Sequence, residues 1–235
     1  GKVLSGQNIT PLTLEPLPEA NTVALAKYMA SWVDSGFLGS DDLSIPASVS
    51  YVEQAGRSLT TADGIAERWR ETGSINRETA GKRRKAGSLR ALVGHAADEP
   101  MYLDLRTDGP HALVGGTTGS GKSELLQTWI MGMATAHSPD RVTFLLVDYK
   151  GGSAFAECVN LPHCVGMVTD LTPHLVARAI TSLDAELRYR ERVLHRHRAK
   201  DLVELEKSGS AETMPSLVIV VDEFAALVND VPEFV

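Results

Sequence analysis

The sequence predicts an α/β fold in which helices flank a mostly parallel β-sheet, and three observations support this class. From Leu89 onward, apolar segments alternate with segments of helical periodicity in the order β-α-β-β-α-β. The run Leu-Val-Ile-Val-Val at 217–221 is continuous and β-branched, as expected of a strand buried on both faces of a parallel sheet. The pattern G-x-x-x-x-G-K-S at 116–123 stands between an apolar segment and a helical one. Together these features predict a P-loop NTPase domain.

The chain before this domain is predicted to be mostly helical. Residues 21–33 carry apolar side chains at helical spacing, and residues 48–55 can begin either a helix or a short strand. Thr60 or Thr61 can cap a third helix. The predicted buried face of this third helix consists of Ile65, Ala66 and Trp69.

A linker is predicted between the helical segment and the α/β domain, over residues 73–87. It contains the basic run 82–85, which is typical of a solvated linker and can alternatively contact nucleic acid or acidic lipid. We therefore divide the chain into an N-terminal helical segment with its linker, 1–88, and a P-loop domain, 89–235.

The elements of the P-loop domain follow from periodicity and from turn residues. Residues 92–94 and 101–105 predict an edge hairpin, and residues 111–114 predict a buried strand running into the phosphate loop. The helix leaving the loop, 124–136, has an apolar face of Leu125, Leu126, Trp129, Ile130 and Met133. The later elements are predicted as strands at 142–147 and 164–168, a long mixed-charge helix from Pro173 to about His197, a polar loop at 208–215 and the strand at 217–221.

The loop pattern predicts a site for nucleotide phosphates. Successive backbone N–H groups and the N-terminus of the following helix form a concave anion site. Lys122 can reach the β- and γ-phosphates, and the Ser123 hydroxyl can bind Mg²⁺. The residues expected to bind nucleotide are Gly116, Thr117, Thr118, Gly119, Ser120, Gly121, Lys122, Ser123 and Glu124.

Two acids at the end of the strand 217–221 complete the predicted site. Asp222 can hold the Mg²⁺ shell, and Glu223 can orient and polarise the attacking water. Two acids at a strand end can also be an ordinary solvated turn. The complete phosphate loop upstream favours the nucleotide site, in which Lys122 and Glu223 are catalytic and Ser123 and Asp222 bind the metal. Because the sequence has no Asn-Lys-x-Asp motif for guanine, ATP is favoured over GTP.

Composition excludes several other classes of protein. Of the 235 residues, 43% are apolar, which is ample for a core. The sequence has no run of about 18 apolar residues, so no membrane span is predicted. Cys158 and Cys164 have a spacing that fits no zinc site, so we expect reduced core residues of a cytosolic domain. The net charge of −7 argues against polyanion binding by the whole surface. No signal peptide opens the chain, and it begins with Gly1 rather than Met, so we expect either a residue left by cloning or a cut inside a longer protein.

Five segments of the sequence together resemble the FtsK/SpoIIIE ATPases, and within them the EccC/EssC motors of type VII secretion. Asp-Tyr-Lys at 148–150 stands where the family's DNA translocases typically carry Asp-Pro-Lys, which favours the secretion branch. The five segments are GGTTGSGKSE at 115–124, DYKGGSAF at 148–155, LPH at 161–163, VTDL at 168–171 and VVDEFA at 220–225.

The resemblance implies a RecA-like motor that acts as a multimer, often a ring, and couples ATP hydrolysis to the movement of a polymer. The family's phosphate-loop roles correspond to 116–123, and its metal and base roles to Asp222 and Glu223. Asp148 matches an acidic position beside the phosphates, where a catalytic and a structural role are equally compatible with the pattern. The implied partners are ATP, Mg²⁺, further copies of the chain, other ATPase modules and small helical-hairpin secreted proteins. Under the alternative of a translocase, DNA replaces the secreted protein.

Family members continue past the Asp-Glu strand with an arginine-bearing helix and a strand that carries a γ-phosphate sensor. The sequence reaches neither before Val235, so we expect this 235-residue chain by itself to hydrolyse ATP poorly. A third hypothesis is an assembly module that binds ATP and scarcely hydrolyses it, although Lys122, Ser123, Asp222 and Glu223 are intact. The expected location is the cytoplasm, at the inner face of the membrane, with membrane contact only through parts of the protein outside this chain.

Overall fold

The described part of the chain contains a three-stranded parallel sheet and a separate two-stranded sheet. The computed structural model describes residues 49–75, 87–96, 99–148, 151, 154–169, 172–210 and 212–230. The helices of this part are α1 (Tyr51–Ala55), α2 (Ala62–Glu71), α3 (Lys122–Ala136), α4 (Pro173–Arg196), α5 (Leu202–Ser208) and α6 (Phe224–Asp230), with 3₁₀ turns at Arg57–Thr60 and Cys158–Asn160. The strands are β1 (Arg90–His95), β2 (Pro100–Asp104), β3 (Val142–Asp148), β4 (Cys164–Val168) and β5 (Ser216–Asp222).

The central strand β3 fixes the register of the parallel sheet. It pairs with β5 residue for residue from Val142↔Ser216 to Asp148↔Asp222, and with β4 on its other side. The apolar run of β3 is nearly inaccessible to solvent, because it has a strand on each side and helices against its faces. Parallel strands end at the same edge, so the carboxyl ends of β3 and β5 lie side by side with an aspartate on each.

The hairpin β1–β2 packs against α3 rather than joining the parallel sheet. The helix approaches β1 so closely that a Cβ atom on Gly132 would lie 2.4 Å from the carbonyl oxygen of Leu92. The buried side chains of α3 include Trp129, Ile130 and Met133, as the periodicity of the sequence predicts. Leu125, predicted on the same face, is instead 37% exposed. Helix α3 thus lies between the hairpin and the sheet and carries the phosphate loop at its first turn.

The helices before the predicted linker contact the end of α3. Trp69 Nε1 donates to the carbonyl of Ala134 at 2.9 Å, and the hydroxyls of Tyr51 and Thr135 lie 2.7 Å apart. The Thr61 side chain accepts a hydrogen bond from Gly64 N, which confirms it as the cap of α2. All of the described residues belong to one compact unit. The domain boundary at residue 88 stays a prediction, and the helix predicted at 21–33 lies outside the described residues.

Two expectations about individual elements were wrong, and one helix was missed. Residues 111–114 form no strand and Leu113 is 84% exposed, because no strand of the described part pairs with them to complete a ladder of hydrogen bonds. Strand β5 is not buried on both faces, since Ile219 is 43% exposed. Helix α5, with an N-cap bond from Glu204 N to the Asp201 carboxylate, was not predicted. Among the described helices, none has both the length and the apolar character of a membrane span.

Candidate functional site

The phosphate loop makes a sharp turn that depends on its glycines. Gly119 has φ of 77° and Gly121 has φ of 86°, in the left-handed region where residues with a Cβ atom are strained. A Cβ atom on Gly116 would lie 2.3 Å from the Ser120 hydroxyl oxygen, so a side chain there would require Ser120 to move. The helix α3 begins at Lys122, directly after this turn. The turn therefore presents the N-terminus of α3, which favours an anion.

The Lys122 ammonium group lies over the loop that precedes it. Its Nζ donates to the carbonyl oxygens of Gly116 and Thr117 at 3.0 and 2.9 Å. These bonds hold the positive charge at the concave side of the turn, where the phosphates of a nucleotide are expected. The same three N–H groups can turn to phosphate oxygens, since an ammonium on a flexible stem rotates freely.

A hydrogen bond joins the phosphate loop to the end of β5. The Ser123 hydroxyl donates to Asp222 Oδ2 at 2.9 Å, across ninety-nine positions of sequence. Asp222 is only 8% exposed, and its other oxygen, Oδ1, accepts the backbone N–H of Glu223 at 3.0 Å. The fold thus brings together the hydroxyl and the carboxylate that the sequence predicts as metal ligands.

Glu223 stands in a backbone conformation that is rare for a residue with a side chain. Its φ is 58°, and strain of this kind costs about 1–3 kcal/mol and is concentrated at functional sites. Its carbonyl oxygen accepts hydrogen bonds from Ala226 N and Leu227 N, which starts α6 immediately after the strand. The tight turn from β5 into α6 keeps the Glu223 carboxylate at the strand end, half-buried beside Asp222.

The residues present fit Mg²⁺ together with a nucleotide. Mg²⁺ prefers oxygen ligands and usually keeps several waters, so it is held by one or two protein groups and by substrate phosphates. Ser123 and Asp222 are such a pair of oxygen donors. Within the described ranges, no group of three or more His, Cys, Asp or Glu side chains is arranged to hold a metal by itself. The pair of oxygen donors suits a metal that arrives with phosphate.

The predicted site residues lie on two segments of the fold. Those from Gly116 to Glu124 form the turn and the first residues of α3, and Asp222 and Glu223 form the end of β5. Ser123 links the two segments directly. The side chain of Glu124, in the first turn of α3, is exposed.

Two polar residues behind the loop have contacts that were not predicted. Asp148, at the end of β3, is 2% exposed, and its Oδ2 accepts the N–H of Ala154 at 2.9 Å. Gln127 on α3 donates from Nε2 to the carbonyl of the same Ala154 at 2.6 Å. A signal for Gln127 exists in the sequence, because it follows Ser123 by four positions and therefore shares its helix face.

Comparisons with known proteins agree with this geometry. The model of the FtsK/SpoIIIE family matches residues 76–234. The ESX secretion system protein YukB of Bacillus subtilis is 36% identical over 201 residues, which are 82% of this chain and 13% of YukB. The type VII secretion system protein EssC of Staphylococcus aureus is 38% identical over 197 residues, 81% of this chain and 13% of EssC. The chain thus spans only about an eighth of the length of these relatives.

Solved structures give the same fold. EccC of Thermomonospora curvata (ATPases 2 and 3), in complex with a signal sequence peptide, aligns with a TM-score of 0.53 and 27% identity, covering 66% of this chain and 29% of that one. The cytoplasmic domain of EssC aligns with a TM-score of 0.53 and 20% identity, covering 63% and 28%. The parallel sheet and the loop at the start of α3 are therefore those of an ATPase domain.

Proposed function

This chain belongs to the FtsK/SpoIIIE family, and from that premise we propose that it is a motor module that binds and hydrolyses ATP to drive protein export of the type VII kind. The observation that carries the proposal is the hydrogen bond from Ser123 to Asp222, which places the phosphate loop, a carboxylate and Glu223 at one edge of the sheet. The secretion systems named in the relatives' descriptions supply the kind of work.

Each site residue has a distinct task in this proposal. The backbone N–H groups of the loop and the Lys122 ammonium bind the β- and γ-phosphates of the substrate ATP. Ser123 and Asp222 hold Mg²⁺, which supplies charge neutralisation for the phosphate oxygens when bound. Glu223 orients a water molecule toward the γ-phosphate and accepts its proton. The left-handed backbone at Glu223 fixes the direction in which this carboxylate leaves the strand.

The proposed partners are further copies of the chain, other ATPase modules and a small secreted protein. Support for the last comes from EccC, whose structure was solved with a signal sequence peptide. We place the module at the cytoplasmic face of the membrane, supported by the description of the EssC domain as cytoplasmic. The chain carries a net charge of −7, which disfavours a groove that follows DNA phosphates.

Replacing Glu223 with glutamine tests the catalytic part of the proposal. The amide keeps the shape of the side chain but accepts a proton poorly, so turnover in the full-length gene product should fall by about 100-fold or more while Mg-ATP stays bound. ATP turnover and affinity for a fluorescent ATP analogue are measured in parallel. Asp222→Asn is the matched comparison, and it should weaken Mg²⁺-dependent binding as well. Normal turnover by Glu223→Gln would assign Glu223 a structural role.

The cargo is tested by stimulation of the full-length gene product. A small helical-hairpin protein encoded beside this gene should raise turnover, and duplex DNA should not. We also expect no duplex-DNA affinity of the chain tighter than about 10⁻⁵ M at physiological salt, a value typical of non-specific binding. Stimulation by DNA with no response to the protein would favour a DNA translocase. No turnover under any condition, with ATP bound, would favour an assembly module.

A further inference from the structure

We propose that Asp148 and Gln127 are positioning residues for the nucleotide site, because together they fasten the phosphate-loop helix α3 to the end of β3. The proposal rests on the function proposed above and adds two residues to it. We call this arrangement the Ala154 bridge, consisting of Asp148, Ala154 and Gln127.

The bridge holds one residue from two sides. Asp148 Oδ2 accepts the N–H of Ala154 at 2.9 Å, and the carbonyl of Ala154 accepts from Gln127 Nε2 at 2.6 Å. Asp148 is 2% exposed, and the next residue, Phe155, is completely buried in the core. Both hydrogen bonds are part-buried, so their loss costs more than that of a bond at the open surface.

A second link to the sheet lies one helical turn away on the same face of α3. Ser123 and Gln127 are four residues apart, so their side chains leave the helix on the same side. Ser123 contacts Asp222 at the end of β5, and Gln127 reaches the end of β3 through Ala154. Helix α3 is thus fastened to two neighbouring strands by two successive turns.

The two strand ends are matched in register. Asp148 and Asp222 are direct partners across the parallel pair β3–β5. Asp222 contacts α3 directly, and Asp148 contacts it through Ala154. The two aspartates therefore fix both the position of α3 along the sheet edge and its tilt. The phosphate loop is the start of this helix, so its N–H groups move with it. A shift of about 1 Å in a positioned group is enough to cost up to about 100-fold in catalysis.

A merely stabilising role for the bridge predicts different behaviour from a positioning role. Loss of a stabilising contact lowers the unfolding temperature and leaves the affinity of the folded protein for nucleotide unchanged. Loss of a positioning contact weakens nucleotide binding even far below the unfolding temperature. A direct metal-binding role for Asp148 requires its negative charge, whereas the bridge requires only a hydrogen-bond acceptor at Oδ2.

The test measures affinity of the chain for a fluorescent ATP analogue with Mg²⁺, at a temperature where every variant is folded by circular dichroism. Asp148→Ala and Gln127→Met should each bind about 10-fold more weakly or worse, the range known for groups behind metal ligands. Asp148→Asn should stay within about 3-fold of the wild type, because its amide oxygen still accepts the N–H of Ala154. The double variant should be little weaker than either single one, since both act through Ala154.

Thr128→Ala is the matched control, since Thr128 is half-buried and its hydroxyl donates within the helix, to the carbonyl of Glu124. Loss of affinity in Asp148→Asn equal to that in Asp148→Ala would contradict the bridge and show that the charge is needed. Unchanged affinity in Asp148→Ala and Gln127→Met would contradict it as well. A wild-type chain that binds no nucleotide would refute the proposed function instead. In that case hydrogen exchange at the Ala154 amide still tests the contacts of the bridge, because their loss predicts faster exchange there in both variants.

Discussion

Among single residues, His163 is a buried ring that links distant segments of the domain. It is 1% exposed, its Nε2 lies 2.7 Å from the carbonyl oxygen of His137, and its ring meets Trp69 edge-on with centroids 5.6 Å apart. Its Nδ1 has no hydrogen-bond partner among the described residues. Burial lowers the pKa of His163, and also that of His137, because a charged imidazole would lose its hydration.

This burial predicts that the domain loses stability in mild acid. The unfolded chain takes up protons near the ordinary histidine pKa of about 6.5, whereas the folded chain resists protonation. The stabilisation is therefore complete above that pH and is lost as the pH falls from there toward the folded pKa. The free energy of unfolding, measured with urea at pH 7.5 and 5.5, should change less with pH in His163→Gln than in the wild type. His137 supplies the pH dependence that remains in the variant. The control is His195→Gln at an exposed position. An equal loss of pH dependence in both variants would show that burial of His163 is not its cause.

Among the helices and strands, the close contact between α3 and β1 fixes the position of the helix that begins at the phosphate loop. Gly132→Ala places a methyl group against the carbonyl of Leu92, which requires the helix to move and should cost about 1–3 kcal/mol of unfolding free energy. Gly94→Ala is the matched control, because a Cβ atom there meets nothing within 4 Å. Chemical denaturation measures both. Equal stability of the two variants would mean that α3 is less tightly packed than the structure indicates.

Some of these elements could be predicted from the sequence and others could not, for physical reasons. Helix α2 has its cap Thr61 and its apolar face within ten residues, so local chemistry was sufficient. The segment 111–114 has the composition of a strand, but a strand also requires a partner, which composition does not reveal. The spacing of Gln127 from Ser123 places both residues on one helix face, but it does not reveal what Gln127 contacts. Only the three-dimensional structure shows that Ala154 lies opposite it.

The predicted site was easier to find than the contacts that support it. The loop 116–123 and the acids 222–223 are contiguous motifs whose chemistry is local, and the fold places them within one hydrogen bond of each other. Their assignment to ATP and Mg²⁺ stays a prediction. The supporting carboxylate Glu206 contacts Arg106, which lies a hundred positions away, and no pattern in the sequence pairs the two.

At the scale of the whole molecule, the carboxylate of Glu206 joins several distant segments. It accepts two bonds from Arg106, at 2.8 and 2.9 Å, and one from Gly87 N, and it lies 3.1 Å from Arg141. Burial alone would raise the pKa of Glu206, but the hydrogen bonds and positive charges of Arg106 and Arg141 outweigh it and lower that pKa. The pair with Arg106 therefore stabilises the fold fully above the ordinary glutamate pKa. This stabilisation is lost as the pH falls from there toward the lowered pKa of the folded state.

Removing this carboxylate should destabilise the domain strongly. Glu206→Ala removes the carboxylate that Arg106 and Arg141 share, and breaking a buried ion pair in this way costs about 3–5 kcal/mol of unfolding free energy. Glu212→Ala is the control, because Glu212 also pairs with an arginine but at the surface, where the effect should be much smaller. Unfolding midpoints in urea compare the two. Similar midpoints would show that the buried charges find other partners.

We propose that the fold assembles a site for Mg-ATP between the phosphate loop and the end of β5. Equilibrium titration of the chain and of Lys122→Ala with a fluorescent ATP analogue, with and without Mg²⁺, tests this site. In the proposal Lys122 supplies the cation for the β- and γ-phosphates, so we expect Mg²⁺-dependent binding by the wild type and a loss of about 100-fold or more in the variant. Equal affinity of the two proteins would contradict the proposed site, as would binding that is indifferent to Mg²⁺.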